Sequence, residues 1–136
     1  MHKFQSNLVI LSLIALSACV AQSKTADDPD PSQDFADYCV ACHGAGGKGD
    51  GPLAADLAKA PADLTGLSKR NGGEFPTTRV MAQIWGYAGG KGRGIMPDFA
   101  PLMEGDLVPY DGGDGIETPT PVRLVAIAEY LKGLQK

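Results

Sequence analysis

Apolar residues in the last part of the chain recur at spacings of three and four positions, which predicts a C-terminal helix. Thr120 is the expected N-cap, and Pro121 is expected at the first helical position, where its missing amide costs nothing. The apolar face of this predicted helix consists of Leu124, Ile127, Ala128, Leu131 and Leu134.

Two weaker helical patterns come earlier in the chain. Ser32 as N-cap and Asp34 in the first turn predict a short helix that contains Phe35. Another helix is expected to follow Pro76-Thr77 and to stop at Gly89-Gly90. Its apolar stripe consists of Val80, Ile84 and Tyr87, with Met81 and Trp85 beside it.

The segments between these helices favour loops. Residues 44–52 contain five glycines and a proline, which excludes regular structure there, and residues 53–59 can form one or two helical turns. We find no run of alternating apolar and polar residues that would predict a strand. The expected fold class is therefore all-α, with three to five helices.

The N-terminal residues have the pattern of an export signal. A short basic start precedes the apolar run 8–16, which is too short for a transmembrane helix of about 20 residues. The run ends in Leu-Ser-Ala-Cys, which resembles the lipobox of bacterial lipoproteins and implies a lipidated Cys19. The alternative is ordinary secretory cleavage after Ala21. We expect residues 1–18 to be a signal peptide, 19–32 a polar linker, and 33–136 the folded domain.

The charge distribution limits the kinds of partner. The 136 residues have a formal net charge of −4, which becomes −5 when residues 1–18 with their single lysine are removed. An acidic chain does not favour binding to nucleic acid. Residues 48–93, however, hold seven basic and four acidic side chains, enough for a local basic docking face or simply for scattered solvated charge.

The sequence Cys39-Val40-Ala41-Cys42-His43 carries the clearest chemistry. Two cysteines separated by two residues, followed at once by histidine, are typical of covalent haem attachment, with the histidine as axial iron ligand. Half a zinc site is the first alternative, but the rest of the chain adds only Cys19 and His2 as cysteine or histidine ligands. A thioredoxin-like pair is the second, and it would require a βαβ pattern that the chain lacks. One motif predicts one haem.

Three methionines are candidates for the sixth ligand of the iron. Met96 lies in a glycine-rich stretch that ends in Pro97, where the backbone can approach a haem ring closely. Met103 is the alternative ligand, and Met81 is expected in the core.

With these motifs in this order, the chain resembles the class I cytochromes c over residues 35–134. The resemblance rests on the haem motif with Phe35 four residues before it, on Gly-x-Gly-x-Lys-Gly-Asp-Gly-Pro, on Ile-Met-Pro around Met96, and on a final helix with Glu-Tyr-Leu. It implies a small all-α protein with one covalent haem c, ligated by His43 and Met96, and a contact between Phe35 and Tyr130 where the first and last helices cross.

The resemblance also implies that a proline carbonyl accepts a hydrogen bond from the His43 ring, with Pro52 as first candidate and Pro61 as second. Residues 98–119 form a longer segment than the shortest members of the family have. Its acidic stretch 111–117 lacks the alternating ligand spacing of an EF-hand calcium loop, and we expect a turn-rich surface loop.

The implied function is transfer of single electrons between redox proteins of the periplasm or membrane, without a catalytic residue. Two alternatives are a cytochrome subunit dedicated to one oxidoreductase and, if no methionine binds the iron, a ligand-binding haem sensor or peroxidase. A monomer or a subunit of a complex is expected. Arg79 and Arg93 are expected to pair with haem propionates or to join a docking face with other basic residues, which are Lys69, Arg70 and Lys91.

The anchor can be tested at its attachment residue. Cys19→Ser should abolish palmitate labelling and leave unprocessed precursor, because the thiol that receives the diacylglyceryl group is gone. Wild-type protein should label and begin at residue 19 after processing. A wild-type product that begins at residue 22 and takes up no label would indicate ordinary secretion instead.

Overall fold

In a computed structural model of the chain, residues 28–87 and 96–136 are described. Their helices are α1 (Pro31–Tyr38), α2 (Val40–His43), α3 (Leu67–Arg70), α4 (Thr77–Ile84) and α5 (Val122–Gly133). Three short 3-10 helices span Ala54–Asp56, Leu64–Gly66 and Ala100–Leu102. The strands β1 (Leu107–Asp111) and β2 (Glu117–Pro121) form an antiparallel two-stranded sheet.

Helix α5 lies at the centre of the core and packs against both α1 and α4. Where α1 and α5 meet, the rings of Phe35 and Tyr130 lie 5.4 Å apart between centroids, so the predicted contact is confirmed. The apolar face predicted for α5 is largely buried, with Leu134 half-buried at its end. Further buried apolar side chains among the described residues come from α1, α4 and the segments between the α-helices, and they include Phe35, Phe75, Met81, Ile84, Phe99 and Leu102.

Helix α1 begins two residues earlier than expected. Asp30, not Ser32, is its N-cap and accepts a hydrogen bond from the Gln33 amide at 3.2 Å. Pro31 occupies the first helical position, and the Ser32 hydroxyl donates to Asp30 at 2.7 Å. A carboxylate followed by proline is a stronger helix start than the serine, and α1 therefore includes the end of the expected linker.

Helix α4 ends before Tyr87. Gly86 has a φ of +84°, a left-handed conformation that glycine adopts easily and that stops the helix. Tyr87 is therefore 76% exposed instead of lying on the buried stripe. The expected stop at Gly89 lies outside the described residues. Between α1 and α4, the expected turns over 53–59 reduce to one 3-10 turn.

The expectation of a purely α fold was wrong, because residues 107–121 form a β-hairpin. Its prolines hid the strand pattern: Pro109 lies opposite Pro119, a pair that cannot exchange two amide hydrogen bonds. The ladder bonds must therefore come from the pairs next to it, Val108 with Thr120 and Tyr110 with Thr118, and the proline nitrogens face away from the partner strand.

The hairpin also displaces the start of the last helix. Thr120 and Pro121 end β2, and α5 begins at Val122, so Thr120 is a strand residue and not an N-cap. Two contacts fix the hairpin to the helices. The Tyr110 hydroxyl donates to Glu129 on α5, and the Thr78 hydroxyl on α4 donates to the Gly112 carbonyl at 3.3 Å.

The acidic turn of the hairpin is held by its own amides. One carboxylate oxygen of Asp111 accepts hydrogen bonds from three backbone amides, those of Gly113, Asp114 and Gly115, at 2.8 to 3.1 Å. These bonds lower the pKa of Asp111, because they stabilise its charged form. Within the described ranges, no helix is both long and apolar enough to cross a bilayer.

The C-terminus is tied to the 3-10 turn before α3. The Gln135 amide group donates to the Leu64 carbonyl at 2.8 Å, and its oxygen accepts from the Ser68 amide at 2.9 Å. The Lys136 amide donates to Thr65 at 3.1 Å. These bonds fix the loop 61–66 next to the end of α5.

Candidate haem-binding site

The motif residues lie on two consecutive short helices. Cys39 follows the last residue of α1, and its amide donates to the Phe35 carbonyl at 3.0 Å. The His43 amide then donates to the Cys39 carbonyl at 2.8 Å, within the turn of α2. Both cysteines are free and half-buried. Three residues apart in a helical turn, Cys39 and Cys42 lie on the same side of it.

The imidazole of His43 is held by a carbonyl oxygen, but not by that of a proline. Nδ1–H donates to the Ala62 carbonyl at 2.9 Å, so the expectations for Pro52 and Pro61 were wrong. Pro52 is exposed, at the turn that leads into Ala54–Asp56. The acceptor is one residue beyond Pro61. With the proton on Nδ1, the Nε2 lone pair is available to a metal ion.

Two glycines allow the loops to come this close to the motif. A Cβ on Gly49, whose φ is +81°, would lie 2.4 Å from the Pro61 carbonyl oxygen, so the segment 61–62 can cross only a glycine here. A Cβ on Gly51 would lie 2.5 Å from two carbonyl oxygens of the motif helix, those of Val40 and Ala41. The glycine-rich segment, residues 44–52, thus forms a close-fitting wrap around the motif.

The wrap also satisfies the carbonyl groups at the end of α2. The Gly51 amide donates to the Cys42 carbonyl at 3.1 Å, and the Leu53 amide donates to the Ala41 carbonyl at 2.9 Å. The Gly49 amide donates to the His43 carbonyl at 2.8 Å. A four-residue helix therefore has its C-terminal groups paired, which keeps the histidine in place.

The thiol of Cys39 is half-buried near a buried carboxylate. Burial raises its pKa from 9.0 to about 11, and the negative charge of Asp34 adds to the effect. Among the described residues, no group of three or more His, Cys, Asp or Glu side chains could hold a metal ion.

The two methionines proposed as ligands are both half-buried against the core. The sulfur of Met96 lies 3.8 Å from the side-chain nitrogen of Gln83 on α4, which donates to it. Met103 follows the 3-10 helix Ala100–Leu102. Met81 is buried on α4, as predicted.

The basic residues named for propionate binding or docking are only partly described. Arg79 is exposed on α4, and Lys69 and Arg70 are exposed on α3. The Arg70 guanidinium donates to the Asp63 carbonyl, so this side chain has a local structural contact. Cys19, Lys91 and Arg93 lie outside the described residues.

Sequence reasoning missed an ion pair next to the motif. Asp34 is 4% exposed, and its carboxylate accepts two hydrogen bonds from the Arg123 guanidinium, one of them 3.2 Å long from Nε. The third nitrogen of this group donates to the Pro101 carbonyl at 2.8 Å. The positions of the two residues in the sequence could have revealed this pair. Asp34 is next to Phe35, and Arg123 is two helical turns before Tyr130, so both lie near the expected helix crossing.

The donor set fits a haem. A histidine with a fixed proton, two thiols on one side of a helical turn, and thioether sulfurs in a half-buried segment are the groups that hold haem c in proteins. The sequence matches the family described as Cytochrome c over residues 32–135. Comparisons with curated proteins and with solved structures give no match.

The close fit of the wrap can be tested at Gly51. Gly51→Ala should lower the free energy of unfolding by about 2 kcal/mol or more, because the new Cβ overlaps backbone atoms that cannot rotate away. Gly46→Ala is the matched control in the same loop, since its Cβ meets only the Lys48 side chain at 3.8 Å. Denaturant unfolding followed by circular dichroism measures both. Equal stability of the two variants would contradict the close contact.

Proposed function

Since the chain belongs to the cytochrome c family, whose members are electron-transfer proteins with covalent haem c, we propose that it carries one electron at a time on a haem ligated by His43 and Met96. Cys39 and Cys42 form the two thioether bonds. The observation that carries the proposal is the hydrogen bond from His43 to the Ala62 carbonyl, because it fixes the ring next to both thiols in the tautomer that binds iron.

Bound haem c supplies the one-electron couple between ferric and ferrous iron. The protein residues orient it and restrict access to it. The Ala62 carbonyl accepts the hydrogen bond from Nδ1–H, which raises the basicity of the imidazole and makes Nε2 of His43 a stronger ligand of the iron. Amides of residues 49, 51 and 53 donate to the carbonyl groups of α2 and hold His43 in place, which would keep the position of this ligand nearly unchanged when an electron enters or leaves a bound haem.

Met96 is favoured over Met103 by its surroundings. Gln83 donates to the Met96 sulfur, which orients one lone pair of the thioether and leaves the other for the metal. His43 and Met96 would both hold the iron of a bound haem. The iron would then be closed to small ligands, and the protein would be a carrier and not a sensor or peroxidase.

The partners are redox proteins of the periplasm or of a membrane that faces it. Lipidation at Cys19 holds the domain at a membrane, and the polar residues between Cys19 and α1 let it reorient toward a donor and an acceptor. The exposed basic side chains of α3 attract acidic partner surfaces, while Arg79 on α4 and Arg93 pair with the haem propionates.

A role as the dedicated cytochrome subunit of one oxidoreductase is the second candidate, and the hairpin favours it. Leu107 and Ile116 are 59% and 65% exposed, on an element that is fixed to α4 and α5. Residues 104–117 contain five acidic and no basic side chains. This surface suits a basic partner with an apolar centre, opposite in charge to the partners of α3.

Covalent attachment can be tested at the two thiols. Cys39→Ser or Cys42→Ser should leave at most one thioether bond, and the double variant should carry no covalent haem, because the sulfur atoms that form the bonds are gone. Haem staining of a denaturing gel measures this. Met81→Leu, a change of similar volume at a buried position that leaves both thiols in place, is the control and should stain like wild type. Staining of the double variant would refute the proposal.

The sixth ligand can be tested by exchanging the two methionines in turn. Met96→Ala should open the iron, lower the reduction potential and let the reduced protein bind carbon monoxide. Met103→Ala should do none of these. Optical titration of each reduced variant with carbon monoxide measures the difference. Binding by Met103→Ala alone would assign the ligand to Met103, and binding by the unmodified protein would favour the sensor or peroxidase.

A further inference from the structure

The ion pair between Asp34 and Arg123 is asymmetric in its exposure. The Asp34 side chain is 6% exposed, whereas that of Arg123 is 32% exposed. The carboxylate is thus at the buried end of the pair and the guanidinium at the end closer to solvent. Water screens the positive charge more effectively than the negative one.

The buried end of the pair lies close to the attachment motif. Asp34 is four residues before Tyr38 on the same face of α1, and Tyr38 directly precedes Cys39. The negative charge of Asp34 is felt at the Cys39 sulfur, where it adds to burial in raising the pKa of the thiol. A carboxylate that acts on this sulfur also acts on a ring bonded to it.

The Arg123 end of the ion pair contacts the segment between Met96 and Met103. Arg123 donates to the Pro101 carbonyl at 2.8 Å, between the two candidate ligands. The ring of Tyr38 meets that of Phe99 edge-on, with centroids 6.3 Å apart. Arg123 therefore connects α1, α5 and the chain that follows Met96.

From this arrangement we propose that Asp34 and Arg123 set the reduction potential of the haem, with Asp34 favouring the oxidised state and Arg123 opposing it. The inference rests on the proposed electron-carrier function. When one electron enters from a redox protein donor, the haem loses one positive charge and no proton has to move. A buried negative charge nearby makes that loss unfavourable, and a positive charge makes it favourable.

Removing either charge should therefore shift the potential in opposite directions. Asp34→Asn keeps the shape of the side chain and a hydrogen-bond acceptor for Arg123, and it should raise the potential. Arg123→Gln leaves the carboxylate without its partner and should lower it. A residue with only a structural role would shift the potential in the same direction in both variants, through general loosening around the haem.

Each helix offers a matched control with the same change of charge. Asp37→Asn removes an exposed carboxylate from α1, and Lys132→Gln removes an exposed cation from α5. Both should change the potential less than the corresponding change in the pair, because water screens their charges. Redox titration of all four variants and of the wild type, as haem-loaded proteins at one pH and ionic strength, measures the shifts.

A lowered potential in Arg123→Gln could also come from a displaced methionine, since Arg123 holds the Pro101 carbonyl. Carbon monoxide binding separates the two causes: the variant should stay closed to it when reduced, and binding would overturn the electrostatic role of Arg123. If Arg123→Gln accumulates no haem-loaded protein, the reduction potential of Asp34→Asn alone decides whether the inference holds.

Two further outcomes would overturn the inference. A potential of Asp34→Asn equal to that of wild type, or shifts of the same sign in Asp34→Asn and Arg123→Gln, would reject the pair as a determinant of the potential while leaving the proposed function intact. A wild-type protein without covalent haem would overturn the proposed function together with this inference.

Discussion

The crossing of α1 and α5 is the contact on which the rest of the structure depends. Phe35 and Tyr130 pack there, and the ion pair of Asp34 with Arg123 joins the same two helices one residue away on α1. The haem motif is the direct continuation of α1, so its position is set by this crossing. An ion pair with one buried end adds little net stability, but loss of the Arg123 partner would leave the Asp34 carboxylate buried without a cation and is therefore costly.

The regular helical parts could be predicted from the sequence because their signals are local. The stripe of Leu124, Ile127 and Leu131 has a period that only a helix can bury on one side, and those side chains are buried. The five-residue motif likewise carries its chemistry within itself. The contact between Phe35 and Tyr130 came from the family resemblance.

What could not be predicted depends on contacts between distant residues. The acceptor for His43 is 19 residues away, and it is a backbone carbonyl, which any residue at position 62 would supply. The sequence around Pro61 therefore predicts the region that holds the acceptor, but not which carbonyl oxygen in it binds the His43 ring. The hairpin was missed for another reason: proline normally argues against a strand, and three of its ten strand residues are proline.

Those prolines have a consequence for how the hairpin meets other molecules. An exposed strand edge usually presents amide donors, to which a further strand can add. On this hairpin the nitrogens of Pro109 and Pro119 face outward on opposite edges and have no hydrogen to donate. Each border of the ribbon therefore lacks a donor at its middle residue, while other outward-facing amides, such as those of Leu107 and Glu117, remain. A strand added at either border would miss a backbone hydrogen bond at that point, so recognition of the hairpin by a partner depends more on its side chains.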